Sequence, residues 1–174
     1  DASGQGSLVY GKTSAHVLAV TAVLEDGSLL DAKPVSGSEL ADKLAREDRE
    51  GEIYRQVLAS ARDKRDEIEA TFPKLTRFLT GYDLKHVYEP ASETVDLSRL
   101  ICGSEGTLAF VTEAKLDLTP IPTFRTLVNV KYDSFESALR NATVMVAAEA
   151  LSVETVDSKV LDLARGDIIW HSVK

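Results

Sequence analysis

Ile101-Cys-Gly-Ser-Glu-Gly-Thr-Leu-Ala-Phe-Val-Thr-Glu-Ala-Lys115 is the stretch on which the fold turns. Just before it, Asp96 can offer a side-chain oxygen to the first amides of a short helix, Leu97 to Cys102, and Gly103 stops that helix. Gly103-Ser-Glu-Gly106 then reads as a turn, because glycine accepts backbone angles that other residues avoid. From Thr107 the run is apolar and β-branched through Thr112 and continues to Leu116-Asp-Leu118, one long strand or two. Pro120-Ile-Pro122 closes it and marks the best domain boundary, since no helical or strand period crosses the proline pair.

Toward the N-terminus, Val17 to Leu24 is nearly all apolar and β-branched, and Glu25-Asp26-Gly27-Ser28 is a turn before Leu29-Leu30. That pattern predicts a strand, a tight turn and a second strand. Asp1 to Gly11 has the glycine and serine content of a loop. From Ser38 to Phe72 the composition favours helix, with Gly51 dividing two helices. Ile53, Val57, Ala61 and Ile68 recur at helical spacing and charges fill the other face, so these charges are read as a solvated surface and not as a site. Polar loops follow at Thr80-Gly81-Tyr82-Asp83-Leu84 and Glu89-Pro90-Ala91-Ser92. Beyond Pro122 the reading is β-α-β-α: a strand from Leu127 to Tyr132, a helix from Ser134 to Ala148, a strand from Leu151 to Val156 and a helix from Ser158.

With 174 residues the chain can bury a core without disulfides, and its single cysteine, Cys102, has no bridging partner. That suits a reducing, cytoplasmic setting. The net charge of -8 and the interleaving of lysines with acids exclude a nucleic-acid or anionic-membrane surface. No apolar run is long enough to span a bilayer, and the three histidines lack metal-ligand spacing. The chain begins at Asp-Ala-Ser-Gly and ends in a stretch rich in core-type residues. The expectation is therefore an incomplete piece of a larger protein, inactive by itself.

Gly6-Ser-Leu-Val-Tyr-Gly11-Lys12-Thr13 fits the phosphate-loop pattern of nucleotide hydrolases. That mechanism needs a strand before the loop and a helix after it, whose amides hold the phosphates. Here glycine-rich sequence precedes the motif and a β-branched run follows. A helix starting at Lys12 would favour this alternative; a strand from about Val17 would exclude it. A second alternative is a non-catalytic interaction module displaying the charged helices from Ser38 to Ala70.

Read together, Asp1-Ala-Ser-Gly, Tyr10-Gly11, Val17 to Leu24, Thr80 to Lys85 and Ile101 to Lys115 resemble, in order and spacing, a known domain. It is the second half of the PCMH-type FAD-binding domain of the vanillyl-alcohol-oxidase family. Among its members the chain is similar to D-lactate and D-2-hydroxyglutarate dehydrogenases, in particular the large bacterial type with a fused iron-sulfur module. The resemblance implies an α+β fold in which 1–122 forms the C-terminal half of the FAD-binding domain, with a helical insertion at about 38–72. It further implies that 123–174 begins a ferredoxin-like, substrate-capping domain. The implied cofactor is FAD, and the implied substrate is a small 2-hydroxy acid oxidised by hydride transfer to flavin.

By the same resemblance Ala2, Ser3, Gly4, Tyr10 and Gly11 lie beside the flavin ring and ribitol. Gly103, Glu105 and Gly106 form a turn near the cofactor, and Val111 and Thr112 lie on a strand along the adenine side. Glu154 and Asp157 are candidate neighbours of the reactive face, against the plainer reading of a surface carboxylate and a helix cap. Two departures stand out. The family commonly has Asn-Ala-Gly-Gly where this chain has Asp1-Ala2-Ser3-Gly4, and Cys102 replaces an aliphatic residue, which reads as a buried, inert thiol.

Overall fold

The computed structural model describes residues 1–75, 77–79 and 81–172 and divides into two units, Asp1–Pro120 and Ile121–Lys174. The first holds two helical turns, α1 (Ser7–Tyr10) and α2 (Thr13–His16), then strands β1 (Val17–Val23), β2 (Leu29–Ala32) and β3 (Pro34–Val35). Helices α3 (Gly37–Ala45), α4 (Arg49–Asp63) and α5 (Arg65–Thr71) follow, then β4 (Tyr88–Glu89), β5 (Thr94–Asp96), α6 (Ser98–Gly103) and β6 (Phe110–Leu116). The fold class is α+β, built on two small antiparallel sheets ordered β2-β1-β6 and β3-β5-β4.

The β1–β2 hairpin forms where the sequence predicts it. The Leu24 amide donates to the Ser28 carbonyl at 2.9 Å, Gly27 takes φ 82°, and Asp26 Oδ1 accepts from the Ser28 amide. Between β1 and β6 the register slips twice. Val17 pairs with Leu116 and Ala19 with Lys115, which makes Leu18 an extra residue on β1; Thr21 pairs with Glu113 and Ala22 with Val111, which makes Thr112 an extra residue on β6. The first slip lets Val17 and Val20, three residues apart, both turn inward.

The core joins Val20, Ala22, Leu30 and Ala32 of the first sheet to Val35, Val87 and Val95 beside the second, with Leu40, Tyr54, Leu58 and Ala61 packed on them from the helices. Tyr54, Leu58 and Ala61 sit one helical turn apart on a single face of α4. Gly51 does not divide two helices as its type suggests. The break lies at Arg46–Asp48, where Asp48 Oδ1 caps α4 by accepting from the Gly51 amide at 3.1 Å. Glycine is needed there for close approach, because a Cβ would stand 2.2 Å from the Arg46 carbonyl oxygen.

In the second unit, α7 (Phe135–Ala147) is capped by Ser134, α8 (Ser158–Arg165) by Asp157, and a 3-10 turn spans Ile168–Ser172. The strands expected at 127–132 and 151–156 do not form. A strand exists only as one side of a ladder, and among the described residues neither segment pairs with the other or with any third. Leu127 and Val128 stand in solvent.

Candidate functional site

The first loop closes on itself and then on α6. The Ala2 carbonyl accepts from the Thr13 amide at 2.9 Å and from Thr13 Oγ1, Ser3 Oγ donates to Ser7 Oγ, and the Gly4 carbonyl accepts from the Ser7 amide. The expected open loop is thus partly a helical turn, α1, which ends at Gly11 with φ 84°. The Tyr10 carbonyl is held by His16 Nε2 at 2.9 Å. The backbone nitrogen of Asp1 donates to the Cys102 carbonyl, so the residue before Ala2 touches the residue before Gly103.

The second loop is a tight turn. Glu105 and Gly106 both have left-handed backbone, at φ 50° and 82°, and the Thr107 amide donates across them to the Ser104 carbonyl at 3.0 Å. Gly103 is fixed by contact, since a Cβ on it would fall 1.9 Å from the Gly81 carbonyl oxygen. Exposed backbone amides of the two loops, among them those of Ser3, Gly4, Gln5, Glu105, Gly106 and Leu108, donate to no acceptor among the described residues. Nothing stands within 4 Å of where a Cβ would be on Gly4 or Gly106. Two loops joined at Asp1–Cys102 therefore present free donors and open backbone, the surface that a ligand rich in acceptor oxygens needs.

Tyr10 is part-exposed at the end of α1. Gly11 and Lys12 form one wall of a groove of about 430 Å³ with His86 and Arg99 on another. Val111 and Thr112 lie on the exposed strand β6; the Thr112 hydroxyl donates to the Thr21 carbonyl at 3.1 Å, and neither residue shares a hydrogen bond with the two loops among the described residues. Glu154 is exposed in the second unit. Asp157 accepts from the Val160 amide at 2.8 Å, which is the helix-cap role. Burial raises the Cys102 thiol above its usual range, in keeping with an unreactive side chain.

An ionic hub beneath the first loop escaped the reading of the sequence. Lys12, 8% exposed, donates to the Phe78 carbonyl at 3.0 Å and lies 3.2 Å from both Asp1 Oδ2 and Asp83 Oδ2, with the Phe78 ring 4.8 Å away. Asp1 also accepts from the Ser14 amide and hydroxyl. Burial alone would raise the Asp83 carboxyl, but the hydrogen bond from His86 Nδ1 at 2.8 Å, the His86 charge and Lys12 outweigh it and hold it below the usual range. The signal in the sequence was a pair of opposite charges at 1 and 12 flanking a short loop.

The phosphate-loop alternative fails on the same geometry. The helix after Lys12 is a single turn that gives way to β1 at Val17, so no helix opens from the motif to hold a phosphate. Thr80, part of the polar loop read from the sequence, lies outside the described residues.

No family model matches the chain, and no solved structure matches it. It is 63% identical over 175 residues to a D-2-hydroxyglutarate dehydrogenase of Pantoea ananatis, covering 100% of this chain. It is 62% identical to that of Escherichia coli and 53% identical to that of Haemophilus influenzae, each over 99% of this chain. The chain spans 17% of the length of each of these curated relatives. The resemblance to D-2-hydroxyglutarate dehydrogenases read from the sequence is borne out, and the nucleotide-hydrolase and interaction-module alternatives are not favoured.

Proposed function

We propose that this chain is the cofactor-holding part of an FAD-dependent dehydrogenase that oxidises a D-2-hydroxy acid, with D-2-hydroxyglutarate the leading substrate. In this reading 1–122 is the C-terminal half of a PCMH-type FAD-binding domain with a helical insertion at about 38–72, and 123–174 begins a ferredoxin-like cap domain. The observation that carries it is the group of free amides on two tethered loops, those of Ser3, Gly4, Glu105 and Gly106 among them.

The residues fit the group. Ala2, Ser3, Gly4, Tyr10 and Gly11 would hold the flavin ring and ribitol. Gly103, Glu105 and Gly106 would offer backbone donors close by, and Val111 and Thr112 would line the adenine side at the β6 bulge. Bound flavin supplies a two-electron acceptor for the hydride that leaves the substrate α-carbon. The task of this chain is to bind and orient, because backbone donors fixed by hydrogen bonds reorganise little when charge moves. Glu154 is the freer of the two carboxylates proposed near the reactive face, Asp157 being engaged as a cap. The proposal extends to an iron-sulfur module outside these residues and to a cytoplasmic location; no described helix is long and apolar enough to cross a membrane.

The test is the visible spectrum of the full-length protein as purified. The two-band absorption of oxidised flavin, bleached by D-2-hydroxyglutarate and more weakly by D-lactate, is the expected result. A protein that stays colourless after incubation with FAD would contradict the proposal.

A further inference from the structure

We infer that Lys12 is a positioning residue for the cofactor site: its buried ammonium fixes, through residues 77–79 and 81–86, where the two amide-bearing loops stand relative to each other. The inference rests on the proposed cofactor site. The ammonium donates to the Phe78 carbonyl and the Asp83 carboxylate, and the Asp1 carboxylate stands 3.2 Å away as a second counter-charge. Buried and held between two carboxylates of the chain itself, Lys12 is engaged internally, which separates it from the lysine of a phosphate loop. A buried ammonium is tolerated only when so paired, and the pairing fixes the partners as firmly as the lysine.

Those partners lie on both sides of the site. Asp1 precedes Ala2 in the first loop, while Phe78 and Asp83 belong to the 77–86 segment. That segment fastens to the first loop again where Arg77 Nη1 donates to Ser7 Oγ at 2.6 Å. Its far side reaches the second loop, with the Gly81 carbonyl pressed on Gly103 and the Tyr82 hydroxyl 2.7 Å from Thr107 Oγ1. Both loops thus take their position from one strap, and Lys12 is the charge that binds the strap to the first of them. Side chains that lock a binding constellation from behind set its precision.

The experiment uses the full-length protein, with Lys12→Met and Tyr82→Phe made separately. The expected result for Lys12→Met is an FAD dissociation constant raised about tenfold or more, the size of a lost charge-assisted hydrogen bond. An altered visible circular dichroism of the bound flavin should accompany it, together with a lower kcat at saturating FAD and an unchanged KM for D-2-hydroxyglutarate. Tyr82→Phe, at the exposed end of the strap, should raise the same constant about threefold with thermal stability unchanged, and it carries the test if Lys12→Met does not fold. A lower melting temperature for Lys12→Met with wild-type FAD affinity and flavin dichroism would overturn the inference, as would wild-type affinity in Tyr82→Phe if that variant stands alone. Absence of flavin in the wild-type protein would show beforehand that the cofactor reading itself had failed, and the inference with it.

Discussion

In the Asp1–Pro120 unit, β1 and α4 hold Val20, Ala22, Tyr54 and Leu58 almost wholly out of water. In the Ile121–Lys174 unit, α7 and α8 have side-chain caps and apolar positions of their own, yet Leu139, Val144 and Leu163 are half or more exposed. Caps and helical spacing act within one element, whereas burial needs a second layer against which the apolar face can close. The first unit has sheets on which α3 and α4 pack, and among the described residues the second has no strand. The candidate cofactor loops belong to the first unit, where hydrogen bonds tie them to α6 and to each other.

The sharpest way to break this comparison is to force apart contacts in the first unit. Gly103→Val, whose Cβ alone would overlap the Gly81 carbonyl, is expected to cost about 3 kcal/mol or more in a urea titration followed by circular dichroism. Leu58→Ala should cost about 3 kcal/mol in the same 174-residue chain, while Leu163→Ala should change stability by less than about 0.5 kcal/mol. Equal costs for the two leucines would erase the distinction between the units.

Smaller effects sharpen it. The Asp48 carboxyl is pulled down to about 2, first by the Arg46 guanidinium and then by the Gly51 amide. Its folded value lies below its unfolded value of about 3.9, so its contribution is present above pH about 4 and is lost as pH falls through 2. Asp48→Ala should therefore lower the melting temperature at pH 7, and by progressively less as pH falls from about 4 through 2. An effect of opposite sign is expected at Tyr54, whose buried hydroxyl has no hydrogen-bond partner among the described residues. Tyr54→Phe should be neutral or stabilising by up to about 1 kcal/mol, because no bond is lost and a desolvated hydroxyl is removed.

Elements whose signals are local could be read from the sequence. The Asp26-Gly27 hairpin, the caps at Ser134 and Asp157 and the turn around Gly106 follow from side chains a few residues apart, and each forms where that chemistry places it. What depends on distant partners could not be read. Gly51 reads as a helix break by residue type, whereas its close contact, the Arg46 carbonyl, is a feature of packing. The alternation in 127–132 has no ladder among the described residues. Lys12 falls within a phosphate-loop pattern that its flanks do not support, and its true partner Asp83 lies far along the chain. The candidate site was legible as glycine-containing loops, but the free amides and the strap that tethers them emerge only in three dimensions.

Amide hydrogen exchange on the full-length protein with and without FAD tests the central claim most directly. Slower exchange at Ser3, Gly4, Glu105 and Gly106 when FAD is added is the result expected if these two loops hold the cofactor. FAD binding that leaves all four amides exchanging at their unliganded rates would contradict it.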